Sequence, residues 1–133
     1  MKEVQLPRPL VVKLLTMAQA ANGISRGVIG ARNGEPDRVV ETSARGENLF
    51  DFPQAELHAA IGDLSADGRL LYAVFESRAS AVTPEREDLE RLKMPGLLYL
   101  VVSLGTKGVL EMQGWKLDGE QPVAIQVGIR EID

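Results

Sequence analysis

Cysteine is wholly absent from the 133 residues, which removes disulfide staples, thiolate metal ligands and cysteine nucleophiles together. Aromatic residues make up only 5% of the chain, with a single Trp, and they read as core or hairpin residues rather than as a base-stacking platform. Basic residues are outnumbered by acidic ones, 15 to 19, for a formal charge of −4. That balance opposes attraction to phosphate backbones and to anionic lipid surfaces. No apolar run reaches the roughly 18 to 20 residues of a membrane span. The opening MKEVQLPRPL has neither the basic start nor the apolar centre of a secretory signal. The sequence therefore reads as a cytoplasmic protein with no nucleic-acid and no membrane partner. Histidine occurs once, at position 58, and one imidazole cannot build a two-histidine centre. No GxxxxGK[ST] or strand-linked GxGxxG is present, so the glycines read as turns rather than as a phosphate cradle.

What is there is an ordinary globular composition, 44% hydrophobic and 26% charged, long enough for one domain over residues 1–133 and too short for two. From Pro9 to Ala21, Leu10, Val11, Leu14, Leu15, Met17, Ala18 and Ala21 recur at helical spacing, and Asn22 and Gly23 supply a stop. Gly27 to Arg32 and Arg38 to Thr42 read as a hairpin turned by NGEPD. Pro53 suits the first turn of a second helix reaching about Leu64, and Ser43 to Asp51 before it reads as a loop. Arg69 to Phe75 is nearly continuous apolar sequence, the pattern of a central strand covered on both faces. Thr83, Pro84 and the following acidic residues signal a third helix from Pro84 to about Lys93, with Thr83 as its capping hydroxyl. Gly96 to Leu104, Val109 to Leu117 and Val123 to Ile129 read as three further strands, with GTKG and Asp118 to Glu120 as turns. The order predicts a single-domain α/β sandwich with a mixed, curved sheet, about three helices and six strands.

Residues 72 to 103, YAVFESRASAVTPEREDLERLKMPGLLYLVVS, resemble the metal-binding core of the JAMM/MPN (JAB) metallo-isopeptidases with the metal ligands removed. In that family an apolar strand runs into a His-x-His dyad, and a Ser and an Asp follow at the start of a helix. Here the dyad reads Glu76, Ser77, Arg78; Pro84 keeps its place, Glu85 replaces the Ser, and Asp88 alone is a ligand-type residue. MPGLLYLVVSL (Met94 to Leu104) is similar to the strand after the metal helix. GVIGAR (Gly27 to Arg32) resembles the family's first strand, which carries a catalytic Glu three residues before its first Gly; Ile24 stands there. ENLFDFPQAELHAAIGDLSADG (Glu47 to Gly68) resembles the loop and second helix. The likeness runs over roughly residues 8 to 128 and implies a cytidine-deaminase-like architecture.

A hydrolytic zinc site needs three protein ligands, an open position for water and a base for that water. Arg78 offers no lone pair, and Ile24 cannot act as a base. The degenerate positions Ile24, Glu76, Arg78, Glu85 and Asp88 thus imply no metal, no cofactor and no catalytic residue. The expectation is that Arg78 takes the place of the cation, pairing with Glu76 or Asp88 in a closed cluster. A solvated loop followed by an acidic first helical turn is the other reading of the same charges. A hard-cation set of Glu76, Glu85 and Asp88 has suitable oxygens but is opposed by Arg78. His58 reads as a helical surface residue, and Ser77 and Ser80 have no base beside them. What the resemblance implies is an inactive JAMM/MPN-like scaffold or protein-binding module. Its partner would be the tail of a ubiquitin-like or sulfur-carrier protein, an active subunit, or a second copy. The alternative is a divergent metal-dependent isopeptidase.

Overall fold

The structure is a computed structural model; it describes residues 3–21, 24–43, 48–80, 82–92, 94, 96–104 and 110–131. Its elements are β1 (Glu3–Pro7), α1 (Arg8–Ala21), β2 (Ser25–Arg32), β3 (Glu35–Thr42), α2 (Gln54–Ala66), β4 (Leu70–Arg78), α3 (Arg86–Glu90), β5 (Leu98–Leu104), β6 (Leu110–Asp118) and β7 (Gln121–Arg130). The strands form one mixed sheet in the order β1-β7-β6-β5-β4-β2-β3. The β4–β5 and β1–β7 pairs are parallel and the others antiparallel. The expected α/β architecture is present, with seven strands rather than six.

Period-two alternation divides the buried strands between two cores. On β2, β4 and β5, Val28, Val74 and Val101 face a cluster under α2 and α3 with Phe50, Leu57, Leu64 and Tyr99. Their neighbours Ile29, Phe75 and Val102 face the opposite cluster under α1, with Leu6, Leu10 and Leu14. Strands apolar at every position are what two covered faces demand. Gly27 is required where β2 and β3 meet Phe75, since a Cβ there would come within 2.7 Å of the Phe75 ring and would also strike the Val40 carbonyl oxygen.

Several expectations need correction. β1 is an edge strand of five residues paired only with β7; its local pattern is too short and proline-flanked to announce itself. The hairpin turn is Asn33–Gly34 alone, both at positive φ, as a two-residue turn matched to strand twist requires, so Glu35 to Asp37 already belong to β3. The third helix spans five residues, and its cap is Glu85 rather than Thr83. The Glu85 side chain takes the Asp88 backbone N–H while the Asp88 carboxylate takes that of Glu85, at 2.8 Å, a reciprocal box that satisfies two orphan donors. β4 runs three residues beyond Phe75. Glu76 and Arg78 therefore lie within a strand, which overturns the solvated-loop reading for both. Asn22, Gly23 and the GTKG turn fall outside the described residues.

Candidate functional site

Antiparallel pairing of β2 with β4 sets Arg26 directly opposite Glu76 and Ser25 opposite Ser77. Arg26 and Glu76 are both 0% exposed. Burying two charges costs several kcal/mol per ion unless geometry and hydrogen bonding offset it, and here both partners are richly bonded. Arg26 Nε donates to Glu76 Oε1 at 2.6 Å, Nη1 to the Asp51 carbonyl at 3.0 Å and Nη2 to the Asn48 carbonyl at 2.7 Å. Glu76 Oε1 also accepts the Phe50 backbone N–H at 2.7 Å, and Oε2 accepts Arg78 Nε. One carboxylate thus sits between two guanidiniums.

This knot fixes the segment 48–51 against the sheet. Arg91, just past α3, donates to the Leu49 carbonyl at 2.7 Å, so four successive residues are held through their backbones. Phe50 is buried at φ +58, a left-handed conformation costly for a large side chain. It is held there by its N–H bond and by an edge-on contact with Tyr99, ring centroids 5.2 Å apart at 67°. Tyr99 in turn donates its hydroxyl to the Leu89 carbonyl at 2.6 Å, and burial pushes its pKa from 10 up to about 12. Beside the charges, Ser25 Oγ and Ser77 Oγ lie 2.6 Å apart, and Ser25 N–H donates to Ser77 Oγ at 3.0 Å.

The structure brings Glu76 and Arg78 together and distributes the remaining candidates. Ile24, half-buried, precedes β2 by one residue. Asp88 is spent on the α3 cap and on Arg91, 3.5 Å away. Glu85 caps α3 at the surface, and Glu87 and His58 are exposed. Ser80 is exposed, whereas Ser77 is buried against Ser25. Among the described residues, no three of His, Cys, Asp and Glu gather closely enough to hold a metal ion. Both Glu76 oxygens already accept hydrogen bonds, and among the described residues no further carboxylate or imidazole joins Glu76 in a three-ligand zinc set.

Arg26 is the residue that sequence reasoning missed. Its signal was an isolated cation entering an apolar run, SRGVIGA, where strand pairing alone could supply the partner: charged groups are almost never fully buried unless paired. Phe50, Arg91 and Tyr99 gave no comparable signal, because their roles depend on backbone carbonyls and on tertiary proximity.

No family model matches the chain, and no curated protein matches it. Solved structures do. A solution structure from Desulfitobacterium hafniense is 21% identical with a TM-score of 0.79, covering 97% of this chain and 94% of that one. A second, from Salinibacter ruber, is 16% identical with a TM-score of 0.62, covering 95% and 92%. The crystal structure of a JAB1/MPN domain protein from Archaeoglobus fulgidus matches at 13% identity and TM-score 0.58, covering 96% of this chain and 99% of that one. The fold is MPN-like. At these identities the likeness speaks for architecture alone, and the chemistry of the MPN-like site must be read from its own residues. Among the described residues no helix is long and apolar enough to cross a membrane.

Proposed function

We propose that this chain is a single MPN-like domain that acts by binding another protein, with metallopeptidase chemistry lost. The observation that carries the reading is the Glu76 carboxylate, hydrogen-bonded at both oxygens and set between two guanidiniums. It accepts from Arg26, from the Phe50 N–H and from Arg78, so both of its oxygens are bonded, and the two guanidiniums beside it repel a metal ion. Arg78 then stands as the counter-charge of the cluster, and Ile24 supplies no proton acceptor.

The partner best suited to what remains is the extended C-terminal tail of a ubiquitin-like or sulfur-carrier protein. Such a tail binds by adding to an exposed sheet edge. β3 ends the sheet on one side, and residue Ser43 immediately after it is anchored to α2, its N–H and hydroxyl donating to Glu56 at 3.2 and 2.5 Å. The segments Ser43 to Asp51 and Ser77 to Thr83 are the expected walls of the groove. Pinning of 48–51 by Arg26 and Arg91 would hold one wall in place without a metal, which lowers the ordering cost of binding.

An NMR titration with a β-grasp carrier ending in Gly-Gly tests this. Saturable shifts of amides in 40–51 and 77–83, without cleavage of a Gly-Gly fusion, are the expected outcome. A carrier that leaves those amides unmoved at about 1 mM contradicts tail binding, and cleavage contradicts the loss of chemistry.

A further inference from the structure

Only part of the outer edge of β3 is fit to receive a strand. Its register with β2 skips Asp37, between Pro36 opposite Ala31 and Arg38 opposite Gly30, and Pro36 has no N–H to give. From Val39 opposite Ile29 to Thr42 opposite Arg26 the pairing is regular. Ser43, next along the chain, donates its N–H away from β2, to Glu56 at 3.2 Å. Backbone groups alternate in direction along an antiparallel strand, so the N–H and C=O of Glu41 and Val39 turn outward as well. Among the described residues no strand pairs with them there.

This stretch faces α2 across a hollow of about 450 Å³. Ala59 and Ala60 keep the hollow open on the helix side, and among the described residues no cation lines it. Glu56 closes the last rung of the edge: its carboxylate takes the Ser43 N–H and, at 2.5 Å, the Ser43 hydroxyl. A strand added to β3 pairs with Val39 and Glu41 and then meets an N–H that is already taken. What holds that rung shut is a side chain, which can leave, and not the backbone of another strand.

We propose that Glu56 is a clasp opened by a basic side chain of the bound tail. A tail residue lying beside Thr42 shares the face on which Val40 packs toward α2. An arginine or lysine there draws the Glu56 carboxylate off Ser43, and a tail carbonyl accepts the vacated Ser43 N–H. The exchange strands no buried group: Glu56 trades two neutral donors for a charged one, a stronger bond, and the freed Ser43 hydroxyl, half-buried at the groove, turns to water. Glu41 and Asp63 line the same hollow, exposed and with no ion-pair partner among the described residues, and attract the same cation. A tail that is uncharged in this place gains only the rungs at Val39 and Glu41. Glu56 thereby selects for a positive charge at one register of the tail. This inference rests on the tail-binding reading and names the sequence feature that the reading leaves open.

The test is an NMR titration of the full chain with a β-grasp carrier whose tail is Gln-rich before its Gly-Gly, and with versions carrying Arg at each of those Gln positions in turn. The expected result is that one register of Arg binds about three- to tenfold tighter than the Gln tail, more so at low salt, and that the Ser43 amide shifts with that version alone. Glu56→Gln, at a half-buried helical position, should level the two tails by tightening the Gln tail and weakening the Arg one, with its unfolding transition recorded as a control. An Arg preference that survives Glu56→Gln, or Arg and Gln tails that move 39–42 equally in the unsubstituted chain, would overturn the clasp and leave tail binding standing. Amides of 39–43 unmoved by every tail up to about 1 mM, in both proteins, would overturn the tail-binding reading and the clasp with it.

Discussion

Replacing Arg26 by methionine is expected to lower stability by about 3–5 kcal/mol, since removal of one partner leaves the other charge buried and uncompensated. Glu76 would keep Arg78 and the Phe50 N–H, but Arg78 reaches it from the strand end, where its side chain is 16% exposed, and cannot replace a donor from inside the sheet. The carbonyls of Asn48 and Asp51 would also lose their donors, so the segment 48–51 should loosen before the rest of the fold. Urea unfolding followed by far-UV circular dichroism reads the loss, and hydrogen exchange at 48–51 reads the loosening. With typical domain stabilities of only about 5–15 kcal/mol, the single variant could be too weak to purify. A double variant with Glu76→Leu guards against that outcome: it removes the stranded charge and should recover part of the loss, though not the bonds to 48–51. A midpoint for Arg26→Met that gives a loss below about 1 kcal/mol would show that the buried pair does not hold the fold.

Phe50→Ala is the second large effect, about 3–5 kcal/mol, the usual range for truncating a fully buried aromatic side chain. Its ring is 0% exposed and rests on Tyr99. The backbone adds a distinguishing sign. At φ +58 alanine keeps the steric penalty of the left-handed region and glycine does not. Phe50→Gly should therefore be more stable than Phe50→Ala by roughly 1 kcal/mol, reversing the order expected in a helix or strand. Thermal or urea unfolding of the two variants side by side decides it; an alanine variant at least as stable as the glycine variant would mean that the left-handed turn at 50 is not held in solution.

The central architecture was legible because it is written in local patterns. The helical spacing of 9–21, the apolar runs of 69–75 and 96–104, and the alternation of 123–129 all mark elements that the structure contains. β1 was not legible: its only partner, β7, pairs with it across more than a hundred residues, from Glu3 to Gln126, and no window of five residues carries that information. α3 was over-read because its acidic start fits any cap, and only coordinates show that Glu85 and Asp88 close the box. For the site, Glu76 and Arg78 could be picked out by position, but the residue that neutralises Glu76 from inside the sheet could not. Arg26 and Glu76 stand fifty residues apart, and their meeting is a matter of strand register. Charged residues inside apolar strands are therefore worth pairing in sequence space before any loop is given a role.

Zinc content of the chain purified without chelators, read by mass spectrometry beside a Glu76→Gln variant, is the most direct measurement. A carboxylate already bonded to Arg26, Phe50 N–H and Arg78 should hold less than about 0.1 zinc per chain, with no difference between the two proteins. Near-stoichiometric zinc that disappears in Glu76→Gln would contradict the account at its root.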